Sequence, residues 1–203
     1  IGVCVFCAVA SVAALFIFGG KRNEKQKLTV PFIIALIGVL VIVGGMFLPY
    51  ITATGEMAEF LENYPEYGIV IEEYDMTAND VKDVPMISIG KIASSAYAEE
   101  EQIIFNVILL LFSFFLVLTA LFIILKKPIP AIIFTLITCG VFICHSLATK
   151  YDFIDADKYT WGISYYITFT AFVTILIGAI WMLVKKIIAK KELKADTICQ
   201  TEQ

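Results

Sequence analysis

Residues Ile103–Leu125 read IIFNVILLLFSFFLVLTALFIIL, a run without Asp, Glu, Lys or Arg. A bilayer's hydrocarbon core is about 30 Å thick and takes roughly 20 apolar residues to cross as a helix. Four more stretches meet that requirement: Ile1–Gly20, Val30–Ile51, Ile129–Ala148 and Trp161–Val184. The whole composition agrees, since 60% of the 203 residues are hydrophobic and 17% charged, whereas soluble domains carry about a quarter charged residues. Mean hydropathy is +0.87. The predicted fold is an all-α membrane protein: a helical bundle of about five transmembrane helices, spans 1–20, 30–51, 103–125, 129–148 and 161–184, in a single membrane domain. Between the second and third spans lies an acidic outer loop of roughly 50 residues, 52–101, and a tail follows at 185–203.

Charge gives the spans a direction. Short cytoplasmic loops of membrane proteins are enriched in Lys and Arg. The links 21–27 and 126–130 and the tail after Val184 hold 11 of the 15 basic residues, and all three fall on one side if each span crosses once. The loops 52–101 and 149–160 hold 15 of the 19 acids and only four lysines. The expected location is therefore the cell membrane, multi-pass, with the amino terminus outside and the carboxyl terminus cytoplasmic. Basic residues Lys21, Arg22, Lys25 and Lys27 follow the first apolar segment rather than precede it. That order is the flank of a retained helix rather than a signal peptide. Aromatic residues collect where helices would enter or leave the membrane: Tyr50, Tyr151, Trp161, Tyr165 and Tyr166 at the outer level, Trp181 at the inner one.

The outer loop mixes acids with apolar faces. Met57, Phe60 and Leu61 alternate with Glu56, Glu59 and Glu62 at helical spacing, and Pro65 closes the run. Gly68–Tyr74 is β-branched and reads as a strand or extended chain; Thr77 is placed to cap a short turn. From Met86 the residues Ile89, Ile92, Ala93, Ala96 and Tyr97 recur as one face of an amphipathic helix. Such faces need a surface to bury against, and about 50 residues is too few for a large core of their own. The loop is expected to fold back as a cap on the outer helix ends, with its acids projecting. In the spans, Gly38, Gly44 and Gly45, with Ala10 and Ala14, permit close helix approach. Pro128 and Pro130 mark a tight inner turn and an antiparallel hairpin.

Candidate chemistry is sparse. Ionisable residues within spans mark proton and ion paths, and His145 is the one such residue in the five segments. Asn106, Ser113, Thr119, Thr135, Thr138, Thr168, Thr170 and Thr174 either bond within and between helices or line a path for a neutral solute. Cys4 and Cys7 form a CxxC, the spacing of thiol–disulfide exchange, yet no base adjoins them and the outer loops hold no cysteine to relay electrons. Cys139, Cys144 and His145 are too few for a zinc site, and Cys199 in the tail reads as a free thiol. Asp75, Thr77 and Asn79 match the opening of a calcium loop, but Asp80 stands where glycine is needed and Met86 where glutamate should close the shell. Glu72, Glu73, Asp75, Asp80 and Asp83 remain a candidate surface for a weak cation or a basic partner. No cofactor, catalytic motif or nucleic-acid surface is expected.

The stretches FLPYITATG (Phe47–Gly55), KKPIPAIIF (Lys126–Phe134) and WGISYYI (Trp161–Ile167) resemble a loose group of small, mostly uncharacterised multi-pass membrane proteins of Firmicutes. The resemblance runs from Phe32 to the end and implies a four-span core, often preceded by a cytoplasmic zinc-ribbon; here an apolar segment stands in the ribbon's place. The architecture also looks superficially like the claudins, but their outer cysteine pair and tryptophan signature are missing. The expected function is that of a non-enzymatic bacterial interaction or accessory protein that meets the lipid bilayer and a protein partner at the outer loop or tail. A small neutral-solute permease and a thiol oxidoreductase using Cys4 and Cys7 are the alternatives.

Overall fold

In a computed structural model, residues 29–63, 78–96, 99–154 and 158–201 are described, and they are mostly helical. The first apolar segment with Cys4 and Cys7, the basic link 21–27, the Gly68–Tyr74 stretch and Thr77 lie outside the described residues. Three long helices carry the apolar runs: α5 (Glu99–Ile124), α6 (Pro128–Thr149) and α7 (Ile163–Thr201). Each is long and apolar enough to cross a membrane. A shorter apolar helix, α1 (Val30–Gly45), packs antiparallel along α7. Between α1 and α5 stand β1 (Pro49–Ala53), α2 (Gly55–Asn63), α3 (Ala78–Lys82), β2 (Asp83–Pro85) and α4 (Ile89–Ala96); β3 (Tyr159–Trp161) precedes α7.

Where α1 stops is the main departure from the sequence reading. The apolar run continues to Ile51, but the helix ends at Gly45, and 16 residues at 1.5 Å each span only about 24 Å. Amides of Met46, Phe47 and Leu48 bond back to Ile42, Gly44 and Gly45 carbonyls, and Pro49 has no N–H with which to continue. The chain then becomes the central strand of an antiparallel sheet ordered β2-β1-β3. Thr52 pairs with Asp83 on one side and Thr160 on the other. An all-α fold is thus corrected: a small sheet sits at one end of the helices. Trp161, expected to open the last span, belongs to β3, and α7 begins two residues later.

The other helix bounds follow local chemistry. α5 begins at Glu99. Pro128 opens α6, where a missing N–H costs nothing. Between them Lys126 takes a left-handed φ of 53°, with Lys126 N–H on Ile123 O and Lys127 N–H on Phe122 O. This is a Schellman turn with lysine in glycine's usual place, and it reverses α5 into α6. The tail expected from residue 185 continues α7 as a helix to Thr201.

Outward faces of the long helices are apolar. Leu110, Phe114, Ile133, Leu136, Val173, Ile177 and Ile180 are all at least half exposed, which in water would be an aggregation surface and in lipid is a solvated one. The composition and these faces together are those of a membrane protein. Inward, Phe112, Phe142, Ile42 and Ile175 are fully buried. Small residues bring α1 onto α7: a methyl group on Gly178 would stand 2.7 Å from the Ala35 amide nitrogen, and one on Gly38 2.6 Å from Ile175 Cγ1. Gly44, by contrast, faces open space.

Candidate functional site

β1 delivers Tyr50 into the helix ends. The β1–β2 register shifts between Pro49 and Ile51, so Tyr50 sits at an irregularity of the ladder, and both Tyr50 and Ile51 are 0% exposed. The Tyr50 ring meets Phe142, His145, Trp161 and Tyr165 edge-on, with centroids 5.9, 5.3, 5.6 and 6.1 Å away. Its phenol lies 2.8 Å from Ser146 Oγ, with the Thr149 hydroxyl nearby. Ser146 Oγ donates to Phe142 O at 2.8 Å and Thr149 Oγ1 to His145 O at 2.9 Å, so the Tyr50 proton is the one left to bridge strand and helix. Burial drives the Tyr50 pKa well upward, so the phenol stays a donor across the physiological range.

Four groups of differing chemistry therefore converge, but not as a catalytic set. Nucleophile activation needs a hydroxyl that gives its proton to a base. Thr149 Oγ1 stands 3.5 Å from His145 Nδ1, at the edge of hydrogen-bond range, and its proton goes to a carbonyl instead. His145 is 1% exposed, wedged between the Tyr50 and Phe105 rings. This cluster is a latch holding the sheet to α6. Ser164 Oγ adds a second tie, donating 2.6 Å to Gly45 O at the end of α1. Gly162 adds a third: its amide bonds Tyr50 O at 2.8 Å, and a side chain there would strike the Pro49 carbonyl.

The amphipathic segment also docks. Ile89 and Ile92 of α4 are buried, and Gly90 lets that helix lie directly against the Asn106 side chain of α5. Tyr159 of β3 donates 3.0 Å to Val81 O of α3. Burial pushes its pKa up to about 12. Together these residues make a cap of strands and short helices on the ends of α5, α6 and α7.

The acidic candidates divide. Glu72, Glu73 and Asp75 lie outside the described residues. Asp80, on α3, and Asp83, on the edge strand β2, are both exposed at the surface of the cap. Asp83 accepts a hydrogen bond from Thr52 Oγ1 at 3.0 Å, across the strand pair. Residues of the candidate calcium loop from Ala78 onward are helix and then strand, so they do not form the encircling turn that such a site requires. Cys144 is exposed while the adjacent His145 points inward, so the two do not converge.

Hydroxyls within the helices are committed locally. Ser113, Thr119, Thr135, Thr138, Thr170 and Thr174 each donate to the carbonyl four residues earlier. Thr119 and Thr138 also face each other at 3.5 Å, joining α5 to α6. Ser146 and Thr149 carry no motif, yet the polar run His145-Ser146…Thr149 at the end of an apolar helix was the available signal for them. No protein-family model, curated protein or solved structure matches the chain.

Proposed function

We propose that this chain is a non-enzymatic, multi-pass membrane protein whose cap presents an acidic extracytoplasmic surface to a protein partner. The observation that carries the reading is the latched cap itself. Tyr50, Ser164 and Gly162 fix it to the helix ends, while Asp80 and Asp83 remain on its exposed side. A fixed platform presents charge with less ordering cost on binding than a free loop would. Five crossings, with the amino terminus outside and the carboxyl terminus cytoplasmic, follow from the charge asymmetry, as does a cap rich in acids. The resemblance to the four-span Firmicutes group supports the sidedness of the last four spans; the first crossing rests on charge alone. The neutral-solute permease loses its support where the helix hydroxyls give their protons to their own backbone.

The test is a photo-crosslinking amino acid placed at Asp83, compared with one at Lys191 on the far end of the molecule. In native membranes the Asp83 probe is expected to yield a discrete adduct that high salt diminishes. Adducts to lipid alone from Asp83 would sink the proposal.

A further inference from the structure

At the end of the bundle away from the sheet, the start of α6 and one face of α7 enclose an open groove of about 410 Å³. Lys127, Lys186 and Lys190 line it, together with Ile129, Leu183 and Ile187. Residues 183, 186, 187 and 190 follow the i, i+3, i+4, i+7 pattern, so they form one stripe of α7. Lys127 comes from the opposite wall, at the α5–α6 turn. None of the three ammonium groups meets a carboxylate among the described residues. The α6 dipole adds positive potential where its first turn borders the groove.

Depth decides what such a groove would hold. Lys185 Nζ lies 5.5 Å over the Trp181 ring. Tryptophan favours the membrane–water interface, so this pair marks that level on α7. Lys186 comes one residue later, and Lys190 about 6 Å further along the helix. The basic groups thus stand at headgroup depth. Leu183 and Ile129 extend toward the apolar belt, where Ile129 is 58% exposed.

We propose that this groove binds an anionic phospholipid, the headgroup phosphate among Lys127, Lys186 and Lys190 and an acyl chain along Ile129 and Leu183. The lysines supply the charge complementarity, and each contributes the attraction that basic groups at an anionic membrane surface show. The inference rests on the membrane reading of α6 and α7. It does not depend on any partner of the cap.

Full-length protein in nanodiscs of phosphatidylcholine doped with phosphatidylglycerol, followed by native mass spectrometry, tests it. The wild type is expected to retain phosphatidylglycerol in preference to phosphatidylcholine. Lys127→Gln, Lys186→Gln and Lys190→Gln should each reduce that preference about fivefold, while Lys158→Gln, exposed near the sheet, should not. Single substitutions on an exposed face keep the fold, which circular dichroism checks. Equal retention of the two lipids by the wild type overturns the inference, as does a preference that survives the triple substitution. Displacement by millimolar glycerol phosphate would assign the groove to a soluble anion and overturn it too. If the protein fails to co-elute with nanodiscs at all, the membrane reading falls first, a result distinct from incorporation without lipid preference.

Discussion

The Tyr50 hydroxyl has one proton to give, and both hydroxyls beside it have already spent theirs on α6 carbonyls. Tyr50→Phe keeps the ring contacts but leaves Ser146 Oγ without a donor, at a cost of about 1 kcal/mol. Tyr50→Ala empties a fully buried aromatic site and should cost about 3–5 kcal/mol. Thermal unfolding in detergent is expected to rank wild type, Tyr50→Phe and Tyr50→Ala in that order. Equal midpoints for all three would mean that the sheet is not held by this residue. Tyr159 makes a prediction in pH. Its pKa is raised from 10.0 to about 12, so the folded state keeps a proton that the unfolded state has begun to lose. Its contribution is complete below pH 10.0 and lost as pH rises through about 12. Alkaline unfolding followed by circular dichroism should therefore be less steep over that window in Tyr159→Phe. Parallel curves would contradict the burial of this phenol.

At the scale of elements, α1 and α7 approach through glycine, and at Gly178 the closest contact is to backbone rather than to a yielding side chain. Gly178 faces the Ala35 amide and, at 2.8 Å from an added methyl, the Pro31 carbonyl. Gly178→Ala is expected to force the helices apart and cost about 1–3 kcal/mol. Gly44→Ala, which meets nothing within 4 Å, serves as the matched control on α1 and should be near neutral. Comparable midpoint shifts for the two would argue against this packing. Gly38 was legible in the sequence as a small residue within an apolar run. Gly178 needed its partner to be seen. The same distinction separates helices from sheet. Runs such as Ile103–Leu125 announce themselves because lipid demands unbroken apolar length, and the observed α5 and α6 differ from those runs only by their capping turns. β1 continues the charge-free run of the helix before it, and its partners β2 and β3 are three residues each, drawn from positions 83–85 and 159–161. Nothing local distinguishes such a strand, because ladder hydrogen bonds and not periodicity define it. The latch was hidden for the same reason: Tyr50 and Ser146 are 96 residues apart. Tyr50 and Trp161 were legible as aromatics at a helix end. That they pack inward, with Trp161 stacked 4.1 Å from Tyr165, depends on the sheet.

Across the whole molecule, two ends of opposite character are held apart by helices of apolar exterior. Asp80, Asp83, β1 and the latch belong to one end; Lys127, Lys186 and Lys190 to the other. α6 spans about 33 Å between them, which matches a hydrocarbon core, while α7 runs on past it for a total of about 58 Å. If the helices cross, single cysteines at the two ends must differ in reach. Lys158→Cys stands at an exposed position beside β3, and Lys191→Cys at an exposed position on the far part of α7. In intact cells a membrane-impermeant maleimide should label the first above the parent chain and the second only after permeabilisation. Labelling of both without permeabilisation would mean that the ends share one side and the helices do not cross. The reverse pattern would keep the crossings but place the acidic cap in the cytoplasm, removing the extracytoplasmic partner from the proposal. An epitope tag before Ile1 completes the measurement: reached from outside, it agrees with five crossings, whereas a tag reached only from within makes the number even.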